Sequence, residues 1–363
     1  MLFLSMRIIS VVTYIAKVFD KKKIFLLLLP IVFGFGCKNL TYDDLLFEIH
    51  GNTMGTTYSV KVVKDPAIED LSYEDLKSHI DSVLILVNEQ MSTYIDTSEI
   101  SRFNKYRGDE WFKVSSNLVF VISKAIEISK KSNGAFDVTV GPIVNLWGFG
   151  PLKNIFNIPG GQEIEKAQRL VGYHRLSQRS IPPSLKKNLP DIYIDLSAIA
   201  KGFGVDKISE YLESRDIHNY LVEIGGEVRT KGKNHKDEDW KIGISTPDEE
   251  FGIEKVVELS EKSMATSGDY RNYFEKDGVR YSHTIDPRTG YPIKHKLASV
   301  TVIHDSCVVA DAWATAIDVL GPEVGYELAL KEKLPVFLII REGNDFIDKM
   351  TPEFQEILKL SER

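Results

Sequence analysis

Cysteine is nearly missing: in 363 residues there are only Cys37 and Cys307. No disulfide framework can be built from that pair if the first is modified, so the fold must rest on its core alone. An excess of positive charge is missing too. Against 45 Lys and Arg stand 52 Asp and Glu, a formal net charge of -7 with a pI of about 5.7. That excludes the basic field needed to hold a nucleic acid backbone. The chain also lacks internal repeats, low-complexity stretches beyond its N-terminal segment, and heptads, which leaves its oligomeric state open. What is present is the composition of a globular protein, 43% hydrophobic and 27% charged, long enough for one large domain or two modest ones.

The N-terminus departs from that composition. Lys21, Lys22 and Lys23 precede an apolar run from Ile24 to Phe35 that ends in Gly34-Phe35-Gly36-Cys37, the layout of a secretory signal. Cysteine directly after the small residue points to a lipoprotein signal: residues 1–36 removed, Cys37 acylated, 37–46 a tether and 47–363 the folded domain. The alternative is a plain transmembrane anchor extended by the apolar stretch Met1–Val18. Pro30 and the charges from Asp20 to Lys23 break that span. Gly34 stands where a lipobox usually has an aliphatic residue, and Lys38 does not by itself give an inner or outer membrane address.

Along the domain, Tyr58–Val62 alternates with period two and predicts a strand after a turn at Gly51–Gly55. Ser72 followed by Asp75 predicts the start of a helix over Tyr73–Gln90, burying Leu76, Ile80, Val83, Leu84 and Val87. A second helix is expected over Asn117–Ser132, ended by Asn133-Gly134, and others over Gln162–Val171, Ile199–Ser214 and Ala310–Leu320, the last stopped by Gly321-Pro322. Strands are expected at Ile192–Leu196, Tyr220–Ile224, Trp240–Ile244, Val256–Leu259, Ser263–Thr266 and Ser299–Ile303. Without strict β-α alternation, the class is α+β, with mixed sheets and interspersed helices. Cys307, in the apolar stretch Val300–Val309, reads as a strand exit and a buried, inert thiol rather than a nucleophile.

Chemistry concentrates near the C-terminus. Ser282-His283-Thr284-Ile285-Asp286-Pro287-Arg288-Thr289-Gly290 sets an imidazole beside a turn. Asp311 and Thr315, at i and i+4, put two oxygens on one helix face, suited to a hard cation such as Mg2+. Three junctions, Ala135–Pro142, Asp195–Gly204 and Glu223–Glu227, join polar and glycine residues and are expected to lead from strand ends into helix N-termini, which favour anions such as pyrophosphate. Lys201 adds positive charge. Ordinary capping by Asp195 or Ser197, with Lys201 facing water, is the competing account. Tyr94, Phe136, Trp147 and Tyr270 are candidates to stack on a flat ring, or are core.

Taken in order, Gly51–Thr56, Met91–Tyr94, Gly134–Asp137, Asp195–Gly202, Thr266–Tyr270, Ser282–Gly290 and Ala310–Thr315 resemble the ApbE family, the FAD:protein FMN transferases, over about residues 48–355. The resemblance implies an ApbE-like, T-fold-like architecture and an exported, commonly lipid-anchored enzyme. Its implied reaction moves FMN from FAD to a Thr or Ser hydroxyl of an exported acceptor protein and releases AMP. It implies FAD contacts from Met54, Tyr94, Ala135, Phe136, Asp137, Asp195, Lys201 and Ile285. Mg2+ would be held by the Ala198 carbonyl, Asp311 and Thr315, and His283 would be the base, unless it only caps the Asp286-Pro287 turn. The expected location is a membrane-anchored lipoprotein facing the periplasm or cell exterior. Alternatives with the same site are an Mg2+-dependent FAD pyrophosphatase and a non-catalytic FAD-binding lipoprotein. A thiol oxidoreductase built on Cys307 would lack a second cysteine.

Overall fold

The computed structural model describes residues 46–65, 71–151, 158–247, 252–268, 273–276, 278–343 and 345–361. The chain divides between Asp44 and Leu45, and every described residue belongs to the second unit. The expected signal 1–36, the lipidation residue Cys37 and the tether up to residue 45 lie outside the described residues, as do Asp269 and Tyr270.

The backbone of the fold is an eight-stranded sheet whose neighbours in space are also neighbours in chain order. Its strands are β1 (Leu46–Thr53), β2 (Thr56–Val63), β3 (Tyr220–Ile224), β4 (Glu227–Lys231), β5 (Ser263–Gly268), β6 (Leu297–His304), β7 (Val336–Glu342) and β8 (Asp345–Met350). Every described ladder is antiparallel. The result is a meander with helices inserted between strands, the α+β organisation expected from the sequence. β6 is buried on both sides, since Val300 and Val302 face one core cluster and Ile303 the other.

Four long helices carry the rest: α1 (Tyr73–Met91), α2 (Ser116–Lys131), α3 (Ala200–Ser214) and α4 (Cys307–Glu332). Ser72 caps α1 by accepting from the Asp75 N–H, and Leu76, Ile80, Leu84, Val87 and Met91 form its buried face, with Val83 only partly covered. On the sheet's other side, the hairpin Trp240–Ser245 and Ile253–Leu259 and the helix Pro352–Ser361 pack over Val228, Met264, Ile303, Phe337 and Ile339. Three layers result, with the sheet in the middle.

Several expectations are corrected. Gly51 lies inside β1, and the turn is only Met54-Gly55, with φ of 49° and 76°; two successive positive φ values match the twist of the paired strands. The helix expected over Gln162–Val171 is Gly161–Gln168. Ile192–Leu196 is not a strand. A side chain does the pairing instead: Asn104 donates to the Ile194 carbonyl (2.9 Å) and accepts from its N–H (2.8 Å). Buried Lys187 donates to the carbonyls of Asn104 and Ile192, 3.1 Å each. The last expected helix starts earlier, at Cys307, and it is interrupted at Gly321 (φ 79°, ψ 179°), as the Gly-Pro pair implied. Pro322 then serves as the start of the resumed helix.

α4 has no capping side chain of its own at Ser306. Asp206, on α3, supplies one. Its carboxylate accepts from the Cys307 and Val308 N–H groups, 3.0 Å each, from the Ser306 hydroxyl (2.8 Å) and from Arg229 (2.8 Å). Removing it would leave two buried helix N–H groups without an acceptor and take one of the two carboxylates from the partly buried Arg229 guanidinium, which keeps only Glu213. Asp206→Ala is therefore expected to cost about 3–5 kcal/mol in urea unfolding. A loss below about 1 kcal/mol, the range of an exposed ion pair, would contradict this.

Candidate functional site

The β4–β5 ladder consists of only two residue pairs, Ser263 with Arg229 and Met264 with Val228. One residue beyond them β4 ends at Glu227 while β5 runs on to Gly268, and a cleft of about 1330 Å³ lies there. Glu227 stands at the start of β4, and Thr266, Ser267 and Gly268 line the cleft from β5. All twelve site residues expected within the domain line this one cleft: Met54, Tyr94, Ala135, Phe136, Asp137, Asp195, Ala198, Lys201, His283, Ile285, Asp311 and Thr315.

They arrive from separate elements. Met54 comes from the β1–β2 turn. α2 ends in left-handed Asn133 and Gly134, and the Ser132 hydroxyl accepts from the Phe136 N–H at 3.1 Å, which turns Ala135–Asp137 into the wall. Asp137 is spent on structure, accepting from the Thr139 N–H (2.9 Å), the Thr139 hydroxyl (2.7 Å) and the Tyr173 N–H (2.7 Å). Asp195 accepts from the Ser197 N–H at 2.8 Å, the local capping turn that competed with a ligand role.

The three junctions differ from their expected form. Ala135–Pro142 runs from a helix end through a short 3-10 turn into the helix Gly141–Leu146, Asp195–Gly204 enters α3 from an unpaired segment, and Glu223–Glu227 is the β3–β4 hairpin. Of the four aromatic candidates, Phe136 and Trp147 are core, at 2% and 1% exposure, whereas Tyr94 is 67% exposed at the cleft.

α3 also starts without a side-chain cap from its own N-cap residue. Here Asp311, on α4, accepts from the Gly202 N–H at 2.9 Å. The contact needs a glycine: a Cβ on residue 202 would lie 2.4 Å from the Cys307 carbonyl oxygen and 2.8 Å from the Asp311 Cβ. One turn along α4, the Thr315 hydroxyl is 3.3 Å from that of Ser267. Asp311 and Thr315 thus share the helix face that meets the cleft, as their spacing required.

Lys201 is only partly exposed and faces an acid. Its ammonium is 2.6 Å from Glu227 Oε1. Burial pulls Lys201 down, but the carboxylates of Glu227 and Asp311 reverse this and leave it above its ordinary value. Both acids are themselves raised. Burial is the first cause in each, opposed by Lys201, and Asp311 pushes Glu227 further, to about 8. Two buried acids share one ammonium, so the locus is short of positive charge. Glu227 escaped the sequence reading as a site residue; its only signal was an acid directly after Gly225-Gly226.

His283 is half-buried, with its ring edge-on to Phe149 at 6.5 Å between centroids. The Asp286 turn is closed by its own groups: Gly290 N–H to the Asp286 carbonyl (2.8 Å), and the Arg288 N–H and guanidinium to the Asp286 carboxylate. Ile285 anchors the segment against Ile143, Trp147 and Ile164. Cys307 is fully buried and its thiol is pushed well up, first by burial. It is inert, which removes the thiol reading.

Among the described residues no three His, Cys, Asp or Glu side chains cluster as a metal cage. The donor set at Asp311 and Thr315 is all oxygen, and Glu227 Oε2 is buried without a hydrogen-bond partner among the described residues. Hard oxygen donors in a locus short of positive charge fit a cation such as Mg2+.

A pH signature follows from Glu227. Its folded value is raised above that of the unfolded chain, so between about pH 4.5 and 8 the folded state keeps a proton that the unfolded state has lost. Its contribution to stability falls as pH rises through that window. Glu227→Gln is expected to flatten the melting temperature between pH 5 and pH 8, within roughly that window. An unchanged pH slope in the variant would show that the strain lies elsewhere.

Comparison with known proteins agrees in extent. The sequence model of the ApbE family matches residues 54–338. The chain is 44% identical over 312 residues to a protein of Vibrio cholerae named FAD:protein FMN transferase, covering 86% of this chain and 92% of that one. It is 43% identical over 325 residues to a protein of the same name from Haemophilus influenzae, covering 88% and 94%. Among solved structures, the flavin transferase ApbE from Vibrio cholerae superposes with a TM-score of 0.80 at 42% identity, covering 86% of this chain and 99% of that one.

Proposed function

The chain belongs to the ApbE family, and from that membership we infer that it is an FAD:protein FMN transferase. The observation in the fold that best supports this is the convergence of Lys201, Asp311, Thr315 and His283 on one cleft. Lys201 brings positive charge for a pyrophosphate, Asp311 and Thr315 bring oxygen donors for a cation, and His283 brings a base.

We propose that the acceptor is a Thr or Ser hydroxyl of an exported protein and that transfer requires Mg2+. The acceptor oxygen attacks the FMN-side phosphorus of FAD; a P–O bond forms to the acceptor, and the bond to the bridging oxygen breaks, so AMP leaves with that oxygen. His283 takes the hydroxyl proton, a role suited to an imidazole that is largely neutral at pH 7. Lys201 offsets charge on the phosphates. Asp311, Thr315 and the Ala198 carbonyl would hold Mg2+, which when bound neutralises charge on pyrophosphate oxygens. Met54, Tyr94, Ala135, Phe136 and Ile285 would contact FAD, with Asp137 and Asp195 shaping the wall.

We also propose that the chain is exported and held on a membrane by a lipid on Cys37. No described helix is long and apolar enough to cross a membrane.

Three experiments test this reading. With FAD, Mg2+ and an exported acceptor bearing a Thr or Ser site, the acceptor should gain one FMN less water by mass. His283→Asn should keep FAD bound while slowing transfer by about 10²–10⁴-fold; a normal rate removes the base assignment, and free FMN and AMP from the unaltered protein would mark a hydrolase. In cells, Cys37→Ala should move the protein from the membrane to the soluble fraction. Retention in the membrane would point to an apolar anchor instead.

A further inference from the structure

The position of Glu227 is unexplained by packing. It is 1% exposed, one oxygen is committed to Lys201, and the other is buried without a hydrogen-bond partner among the described residues. A half-satisfied buried carboxylate is costly, and an apolar residue of similar volume would serve stability better. Its placement is nevertheless built in. Gly225 and Gly226, both with positive φ, turn the chain so that Glu227 opens β4. Gly225 itself packs closely, since a Cβ there would lie 2.8 Å from the Thr56 methyl and 3.4 Å from the Lys201 stem.

What this achieves is visible at Asp311. Lys201 immediately precedes Gly202, whose N–H holds the Asp311 carboxylate at 2.9 Å, and the Asp311 charge acts on the Lys201 ammonium. Without Glu227, this half-buried ammonium would turn to Asp311, because the other acid that acts on it, Glu223, already accepts from the Gly226 N–H at 2.7 Å. In the structure it goes to Glu227 instead, at 2.6 Å.

We propose that Glu227 is a positioning residue: it draws the Lys201 ammonium away from Asp311 and so keeps that carboxylate open to a divalent cation. This rests on the cation-assisted transferase reading above. It makes a demand that reading does not, namely that loss of Glu227 harms cation binding only while Lys201 is present to take its place.

The test is Mn2+ binding followed by electron paramagnetic resonance, with and without FAD, above about pH 8, where the Glu227 carboxylate is ionised, on the unaltered protein, Glu227→Gln, Lys201→Met and the double variant. Thermal melts establish that each is folded. Glu227→Gln is expected to weaken Mn2+ binding by about tenfold or more, a change of about 1.4 kcal/mol. The double variant should recover to within about threefold of Lys201→Met, a coupling that a merely structural role would not produce. Should Glu227→Gln fail to fold, Glu227→Asp, with its charge set back by one methylene, is expected to weaken binding in the same direction and to be rescued in the same way. Unchanged affinity in Glu227→Gln, or a double variant as weak as Glu227→Gln, overturns the role. An unaltered protein that takes up no Mn2+ in either condition overturns the cation site and this role with it, while transfer of FMN without any divalent metal would locate the failure in the cation reading alone.

Discussion

Two helices that cap each other hold this molecule's chemistry in place. α3 supplies Asp206 to the first N–H groups of α4, and α4 supplies Asp311 to the N–H of Gly202 near the start of α3. Neither helix begins with a side-chain cap of its own. Each aspartate answers orphan donors that would otherwise be buried, and it also lies where the helix dipole is positive. Because the exchange is mutual, the two N-termini are held in one register, and Gly202 is the only kind of residue that the approach allows. Lys201, Asp311 and Thr315 are placed by that register.

The sheet supplies the space. An eight-stranded meander would ordinarily be closed along its length, but the β4–β5 ladder ends after two pairs, and the capped helices lie over the opening. The polar residues of the cleft therefore lie where β4 ends and β5 runs on past it, while its floor remains the ordinary core of α4 on β5 and β6. That arrangement concentrates two acids and one ammonium in a place where water screens them poorly, which suits a site for a charged pyrophosphate and its counter-ion.

Much of this was legible in the sequence, for reasons that can be named. Elements with strong periodicity and local caps, such as the helix opened by Ser72 and the strand Tyr220–Ile224, came out with boundaries within a residue or two. The pair Asp311 and Thr315 was readable because helix geometry alone puts i and i+4 on one face. The misreadings have a common cause, in that partners distant in sequence override local pattern. Ile192–Leu196 looks like a strand, but the amide of Asn104 satisfies it. Glu227 gave almost no signal, since its importance comes from Lys201 and Asp311 and not from its neighbours. Asp206 is similar, a mid-helix acid whose task lies on another helix.

The most direct measurement is anomalous diffraction from crystals grown with FAD and Mn2+. The account places the manganese peak against the Asp311 carboxylate and Thr315 hydroxyl, with the FAD pyrophosphate beside it and within reach of Lys201 and His283. Manganese or the pyrophosphate bound elsewhere on the chain would contradict it.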